Sequence, residues 1–364
     1  MKNLLTFTAR GIYCEAGDFY IDPWQPVHRA VITHAHSDHA YPGHDLYLAQ
    51  RQSVPVLKYR LGSNISVQPL EYGELLLQNG VKISLHPAGH IIGSSQVRVE
   101  HDGEVWVMSG DYKTENDLVT PKFEPVPCRV FITESTFGLP IYNWKPQRQI
   151  FSQINHWWKK NQEENICSVM MCYALGKAQR VLCGVDQSIG PIYAHGAIEN
   201  VNEVLRNAGE PIPAAKRISG ETRKEDLRKA LVLATSSVLN TSWLRKLAPF
   251  SIAYASGWMQ VRGNKRRRAA DVGFALSDHA DWSGLNETVK ATGAEKVFVT
   301  HGFTYQFAQW LREQGYDSQE VKTAFKGESI EEVTDETNSE LEKKENTNEQ
   351  SKDHLDDRPL NEIS

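Results

Sequence analysis

Val31-Ile32-Thr33-His34-Ala35-His36-Ser37-Asp38-His39 is the stretch whose reading decides the fold. Three imidazoles and a carboxylate follow an apolar, β-branched run that reads as a buried strand. Strand alternation sends His34 and His36 to the same side, where both can ligate one metal ion. The chain then turns, and Ser37-Asp38 reads as the start of a helix. From that turn Asp38 and His39 can reach a second ion a few ångströms away. A cluster of surface histidines is the plainer alternative; the pattern favours a dinuclear metal site.

Working outward, the same arrangement recurs. Upstream, Phe19-Tyr20-Ile21 reads as a short strand ending on Asp22-Pro23 and lying beside Val31-Ile32-Thr33. Asp22 is thereby placed to accept a hydrogen bond from the metal-binding loop. Downstream, an alternating strand at 81–85 leads into Pro87-Ala88-Gly89-His90-Ile91-Ile92-Gly93-Ser94. That histidine lies between glycines, in a loop able to approach a ligand closely. The strand at 104–108 ends at Ser109-Gly110-Asp111, and the strand at 129–133 at Glu134-Ser135-Thr136. Near the end of the body, Ser277-Asp278-His279-Ala280-Asp281 precedes a helix, and the strand at 296–300 leads to His301-Gly302. Each time a metal-competent side chain stands just past a strand.

Residues 141–271 interrupt this series. Helical patterns at 147–160, 178–183, 198–207 and 223–228 alternate there with strands at 168–172, 191–194 and 251–255. Such alternation predicts an α/β unit with a parallel sheet. The chain therefore reads as one discontinuous domain, 1–140 with 272–326, and an insertion at 141–271 forming one wall of a cleft. From residue 327 the sequence is rich in Glu, Asp, Asn, Lys and Ser, which predicts a disordered acidic tail over 327–364.

The charge divides along the same boundary. The chain carries a net −5, of which the tail contributes −9, leaving the body at +4. A mildly basic body suits an anionic substrate. Hydrophobic content of 40% and charged content of 23% are those of a globular protein. No apolar run is long enough for a transmembrane helix, so no membrane association is expected. The first ten residues lack an apolar core and a small-residue cleavage site, which predicts a cytoplasmic location. Five cysteines (Cys14, Cys128, Cys167, Cys172, Cys183), four of them in apolar surroundings and with no Cys-x-x-Cys pair, read as buried free thiols of a reducing compartment.

Imidazole and carboxylate ligands without cysteine suit Zn²⁺ best, with Mn²⁺ second. Two such ions about 4 Å apart activate a bridging water and stabilise charge on both oxygens of a phosphodiester under attack. A further histidine, held by a carboxylate, can protonate the leaving oxygen.

Here the motifs resemble a known family. His34-x-His36-x-Asp38-His39, His90 and Asp111, after Asp22, look like the metallo-β-lactamase fold. Glu134-Ser135-Thr136, Ser277-Asp278-His279-Ala280-Asp281 and Thr300-His301-Gly302 resemble the three additional motifs of its β-CASP nuclease branch. That branch includes RNase J, the mRNA 3′-end endonuclease and Artemis-type nucleases. Arg10-Gly11-Ile12-Tyr13-Cys14, Asp22-Pro23-Trp24, Ala255-Ser256-Gly257-Trp258-Met259 and Thr292-Gly293-Ala294 look most like bacterial ligase-associated DNA exonucleases.

The resemblance implies an αββα sandwich with an inserted β-CASP cap. Carried over, His34, His36 and His90 bind one metal ion, Asp38, His39 and His301 the other, and Asp111 bridges them. Asp38 thereby serves both metal binding and catalysis. His279 is the general acid, oriented by Glu134. The implied activity is a DNA exonuclease of repair that leaves 5′-phosphate and 3′-hydroxyl ends, with an ATP-dependent DNA ligase and a helicase as partners. One departure leaves RNA processing as the alternative: Artemis-type DNA enzymes generally carry an apolar residue where this chain has His301. A small-ester hydrolase needs neither the insertion nor the Glu134/His279 pair. A scaffold without metals is unsupported, since every expected ligand is present.

For nucleic-acid contact the candidates are Arg262, Lys265, Arg266, Arg267 and Arg268, a basic run after a Gly-Trp turn, and Lys177 at a strand-to-helix turn. Trp157-Trp158, at helical spacing, reads as core and not as a stacking platform.

Overall fold

The computed structural model describes residues 3–219, 221–261 and 270–325. Six short strands form the first sheet in chain order: β1 (Thr6–Thr8), β2 (Gly11–Cys14), β3 (Phe19–Ile21), β4 (Arg29–Ile32), β5 (Leu46–Gln50) and β6 (Val67–Leu70). The first three are antiparallel neighbours and the rest pair in parallel, with helix α1 (Val54–Leu61) crossing from β5 to β6.

A second sheet begins as an antiparallel meander of β7 (Leu75–Gln78), β8 (Val81–Pro87), β9 (Ser95–His101) and β10 (Glu104–Met108), and continues into parallel β11 (Val130–Ser135). The chain then builds a third sheet, wholly parallel, from β12 (Cys167–Met171), β13 (Ile192–Ala194), β14 (Lys216–Arg217), β15 (Leu231–Ala234), β16 (Phe250–Ala255) and β17 (Val272–Phe274). Helices α2 (Gln147–Glu163), α3 (Lys177–Gly184), α4 (Gly196–Asn207), α5 (Lys224–Arg228) and α6 (Ser242–Arg245) connect its strands. Only then do β18 (Lys296–Gly302) and β19 (Asp317–Glu320) return to complete the second sheet beside β11, with α7 (Trp282–Thr292) before β18 and α8 (Thr304–Glu313) between the two.

Alternation along the central strands dictates the layering. On β11, Val130 and Ile132 point to the first sheet, where they meet Ile12, Ile21, Val31 and Leu48. Phe131 points the other way, and with Val297 and Val299 of β18 it packs under Leu285 and Val289 of α7 and Phe307 and Leu311 of α8. Both faces of these strands are covered, which is why they read as unbroken apolar runs. The opposite side of the first sheet buries Ala30, Ile32, Tyr47 and Ala49 against Val56 and Leu57 of α1. The result is the αββα sandwich.

The third sheet is joined to the sandwich by shared core. The cluster holding Ile32 and Tyr47 extends through Ile91, Ile92 and Leu175 to Trp157, Trp158, Val181 and Leu233 of the inserted unit. Trp157 and Trp158 are core residues, as their spacing predicts.

Two expectations change. No helix starts at Ser37: residues 37–39 form one turn, closed by Ala40 N donating to His36 O at 2.9 Å, and the chain goes on extended. Pro42 follows, and it disfavours helical geometry at the preceding residue. The thiols are free, but only Cys14, Cys167 and Cys172 are buried; Cys128 and Cys183 are half-buried. Burial pushes the Cys167 and Cys172 thiols up to about 12. Among the described residues no helix is long and apolar enough to cross a membrane. Arg262, Lys265, Arg266, Arg267 and Arg268 and the acidic tail lie outside the described residues.

Candidate metal centre and its surroundings

The ends of β4, β8, β10 and β18 converge on one edge of the sandwich, and their following residues surround Asp111. Its carboxylate lies 3.6 Å from His34 Nε2, 3.6 Å from His39 Nε2, 3.8 Å from His90 Nε2 and 3.2 Å from His301 Nδ1. Two groups of ligand-competent atoms share it: His34, His36 and His90 on one side, His39 and His301 on the other. Asp38 stands at the rim, its Oδ2 3.8 Å from His39 Nε2 and its side chain, like that of His36, only part-buried.

His301 reaches the centre by a backbone irregularity. The pairing of β18 with β11 shifts register between Thr133 and Ser135, and His301 takes a φ of +58°. Such bulges re-aim a side chain. Gly302 follows with φ +86°, and a Cβ there would sit 2.3 Å from Ser135 O. The close approach expected at Gly89 is likewise to backbone, since a Cβ there would lie 2.4 Å from Lys113 O.

Hydrogen bonding fixes which nitrogen each ring offers. His36 Nε2 donates to Leu175 O at 3.2 Å, and His90 Nδ1 donates to Asp278 O at 2.9 Å. His36 Nδ1 and His90 Nε2 are thus lone-pair atoms, yet they face each other at 3.0 Å. Asp22, buried at the end of β3, does the same for the other rings. Its Oδ2 accepts from His39 Nδ1 at 2.7 Å and from the Thr33 hydroxyl at 2.5 Å, and that hydroxyl in turn accepts from His34 Nδ1 at 3.1 Å. His34 Nε2, His39 Nε2 and His301 Nε2 remain buried without a hydrogen-bond partner. Buried polar atoms are seldom left so.

Electrostatics agree. Burial pushes His34 and His90 well below the usual histidine range and lowers His36, so these rings are in the neutral form a metal requires. At His39 burial works the same way, but Asp111, Asp38 and Asp22 outweigh it and push the ring up to about 10. Three carboxylates there call for positive charge. The facing lone pairs, the unpartnered nitrogens and the carboxylates all fit divalent cations.

Beside Asp111, His279 Nδ1 lies 2.9 Å and 3.0 Å from the two carboxylate oxygens of Glu134. Glu134 also accepts from Tyr112 N at 2.6 Å and from the Thr136 hydroxyl, so its orientation is fixed. Trp144 Nε1 holds the backbone of His279 by donating to its carbonyl at 3.0 Å. The Asp111, Glu134 and His279 ligand atoms also form a group compact enough for an ion.

One expectation is corrected here. Lys177 is fully buried at the start of α3, with Nζ 3.3 Å from Asp278 Oδ2, and is not a surface contact for phosphate. Its neighbour Arg180, also buried, pairs with Asp278 and Asp117 and donates to His90 O at 3.1 Å. Burial opposes ionisation of Asp278, but Lys177 and Arg180 outweigh it and hold the carboxyl well below its usual range. The sequence reading did not single out Asp278, Arg180 or buried Lys113; a buried cation looks like any other until its partner is known.

Comparison with known proteins gives three kinds of relative. A protein named a probable DNA ligase, from Opitutus terrae, is 28% identical over 312 residues, covering 85% of this chain and 30% of its own length. An RNase J-like protein from Methanocaldococcus jannaschii is 24% identical, covering 77% of this chain and 82% of that protein. An endoribonuclease, YSH1, from Candida glabrata is 27% identical over 124 residues, covering 33% of this chain and 16% of that protein. The chain thus spans less than a third of the first and last of these. A crystal structure of a protein of unknown function from Enterococcus faecalis shares the fold at a TM-score of 0.56 and 10% identity, covering 80% of this chain and 78% of that one. No protein-family model matches the chain.

Proposed function

From the chain's membership of the β-CASP branch of the metallo-β-lactamase-fold nucleases, we propose that it is a metal-dependent DNA exonuclease of repair, producing 5′-phosphate and 3′-hydroxyl ends. His34, His36 and His90 would hold one ion, Asp38, His39 and His301 the second, with Asp111 between them. When bound, a pair of Zn²⁺ or Mn²⁺ ions supplies Lewis-acid stabilisation of phosphorane charge and an activated water.

The chain's own residues do the rest. Asp22 and the Thr33 hydroxyl accept the Nδ1 protons of His39 and His34, which turns the opposite nitrogens toward the cation they would hold. Glu134 accepts the Nδ1 proton of His279, which leaves Nε2 to deliver a proton to the departing oxygen. Leu175 of the inserted unit, buried beside His36, covers the site on that side. The observation that carries the reading is this juxtaposition: a carboxylate-held histidine beside an Asp111-centred cluster whose inward nitrogens lack partners.

The choice of DNA rests on the Opitutus terrae match, which covers most of this chain within a longer protein named for DNA ligation. By the same reading an ATP-dependent DNA ligase and a helicase would be its partners, in the cytoplasm. RNA is the second reading, favoured by His301 at the metal centre and by relatives named as endoribonucleases. The test is digestion of sequence-matched, end-labelled DNA and RNA with Zn²⁺, Mn²⁺ or Mg²⁺, using the wild type and Asp38→Ala. The expected outcome is DNA cleavage from an end, lost in Asp38→Ala and on chelation. Faster RNA cleavage under every metal reverses the substrate, and full activity after chelation removes the metal.

A further inference from the structure

Two cavities lie along one seam beyond His279. The first, about 200 Å³, is lined by Lys113, Glu115, Trp144, His279 and Asp281 among others. The second, about 740 Å³, continues along the same two chain segments, from Asn116 to Val119 on one side and along α2 from Gln147 on the other. Between them Gln147 N donates to Glu115 Oε1 at 2.8 Å and Gln147 Nε2 to Asn116 O at 3.1 Å. A volume of several hundred Å³ is that of a ligand-binding cleft.

The chemistry of the walls is not that of a packing defect. Arg148, Ser152, Asn155, His156 and Lys159 recur at helical spacing, so one face of α2 lines the larger cavity. Arg148 and Lys159 are exposed, and neither has a carboxylate of another described residue within 4 Å, although Lys159 is near enough to Asp186 to help lower its carboxyl. Lys160, one position on, turns to another face and pairs with Glu164 at 3.7 Å. Arg148 and Lys159 are separated by about 16 Å of helix rise, the span of a few nucleotides. Opposite them Leu118, 77% exposed, and part-buried Val119 present apolar surface, to which part-buried Phe151 adds from α2 itself. Unpaired cations along one wall and apolar surface along the other suit a single nucleic-acid strand, whose phosphates need neutralising and whose bases need a face to stack on.

We infer that this seam binds the nucleotides on the 5′ side of the bond that is cut. The inference rests on the nuclease reading above. In that reaction the water oxygen bonds to phosphorus and the P–O3′ bond breaks. The 3′ oxygen leaves with the electron pair and takes a proton from His279 Nε2, while the water releases its own proton to solvent. The proton donor therefore faces the nucleotide 5′ of the cut, and the cavity against His279 receives that nucleotide's sugar. Arg148 and Lys159 then neutralise phosphates further toward the 5′ end.

The test replaces single phosphates of an end-labelled oligonucleotide by neutral methylphosphonates, one position at a time, on both sides of the bond cut first. Single-turnover kcat/KM is read for the full-length protein with its activating metal. Neutralising a phosphate on the 5′ side within the seam's span should lower kcat/KM about tenfold, as expected for loss of a charge-assisted contact. Positions on the 3′ side should change it by less than about twofold. In Arg148→Ala/Lys159→Ala the 5′ penalty should itself fall below about twofold, because the contact is already gone. A penalty confined to the 3′ side, or one undiminished in the double variant, overturns the inference while leaving the nuclease reading intact. Failure of the wild type to cut either nucleic acid with any metal overturns both.

Discussion

The sandwich and the inserted unit grip different histidines of one cluster, and by different means. On the sandwich side the grip is local: Asp22 holds His39 and Thr33 across 17 and 11 positions of sequence, and through Thr33 it holds His34. On the inserted side it is long-range: Leu175 fixes His36 from 139 positions away, and Arg180 reaches the His90 carbonyl from 90. The local grip uses a carboxylate, which sets the protonation of the ring. The distant grip uses an uncharged carbonyl, which selects the nitrogen that His36 offers, and a buried ion cluster, which sets where His90 stands. The sandwich therefore adds charge to its ligands, and the inserted unit adds tautomer and placement without charge.

The sharpest division between chemistry and placement is at His279, a sandwich residue whose backbone is held by Trp144 at the start of the insertion. Replacing His279 by Ala should slow the chemical step by about 10²–10⁴-fold, with both metals retained. Glu134→Gln should do nearly as much, and the double variant little more, because the two act as a unit. Single-turnover rates and metal content by elemental analysis decide it. Loss of metal from His279→Ala would make that histidine a ligand, as its grouping with Asp111 and Glu134 also allows.

The same division explains what could be read in the sequence. His34, His36, His39, His90, Asp111 and His301 were legible because each follows a strand, and strand ends on one sandwich edge must converge. Asp22 was legible for the same reason, through the pairing of β3 with β4. The third sheet followed from alternating periodicities. Lys177 misled because a lysine at a strand-to-helix turn has the pattern of a phosphate contact; only the fold shows Asp278 beside it. The seam along α2 was hidden because helical periodicity marks Arg148 and Lys159 merely as a polar face. The facing loop is a tertiary fact.

If the inserted unit only covers the site, Arg180→Met should matter little. The buried ion cluster predicts otherwise. Arg180 neutralises Asp117 and Asp278 together, and both carboxylates are out of water. Removing the cation leaves charge buried without its partner, at a cost of about 3–5 kcal/mol of stability. Urea unfolding of the purified variant measures this directly, and a loss under about 1 kcal/mol would reduce the inserted unit to a cover.

The smallest expected effect tests the local grip. Asp22 sits at φ +42°, a conformation Asn tolerates as well as Asp, so Asp22→Asn isolates the charge from the backbone. The asparagine oxygen can still accept from Thr33 N, as Asp22 Oδ1 does at 2.7 Å. Its amide nitrogen, however, then faces His39 Nδ1 and the Thr33 hydroxyl with hydrogens of its own. To avoid opposed donors His39 must move its proton to Nε2, the nitrogen that faces Asp111. Metal affinity should therefore fall about 10–100-fold, the usual cost of losing a partner behind a ligand, with the fold unchanged. Competition against a metal-indicator dye reads the affinity, and circular dichroism the fold. Unaltered affinity would mean that the inward nitrogen of His39 is set by Asp111 and Asp38 alone, and that Asp22 contributes placement only.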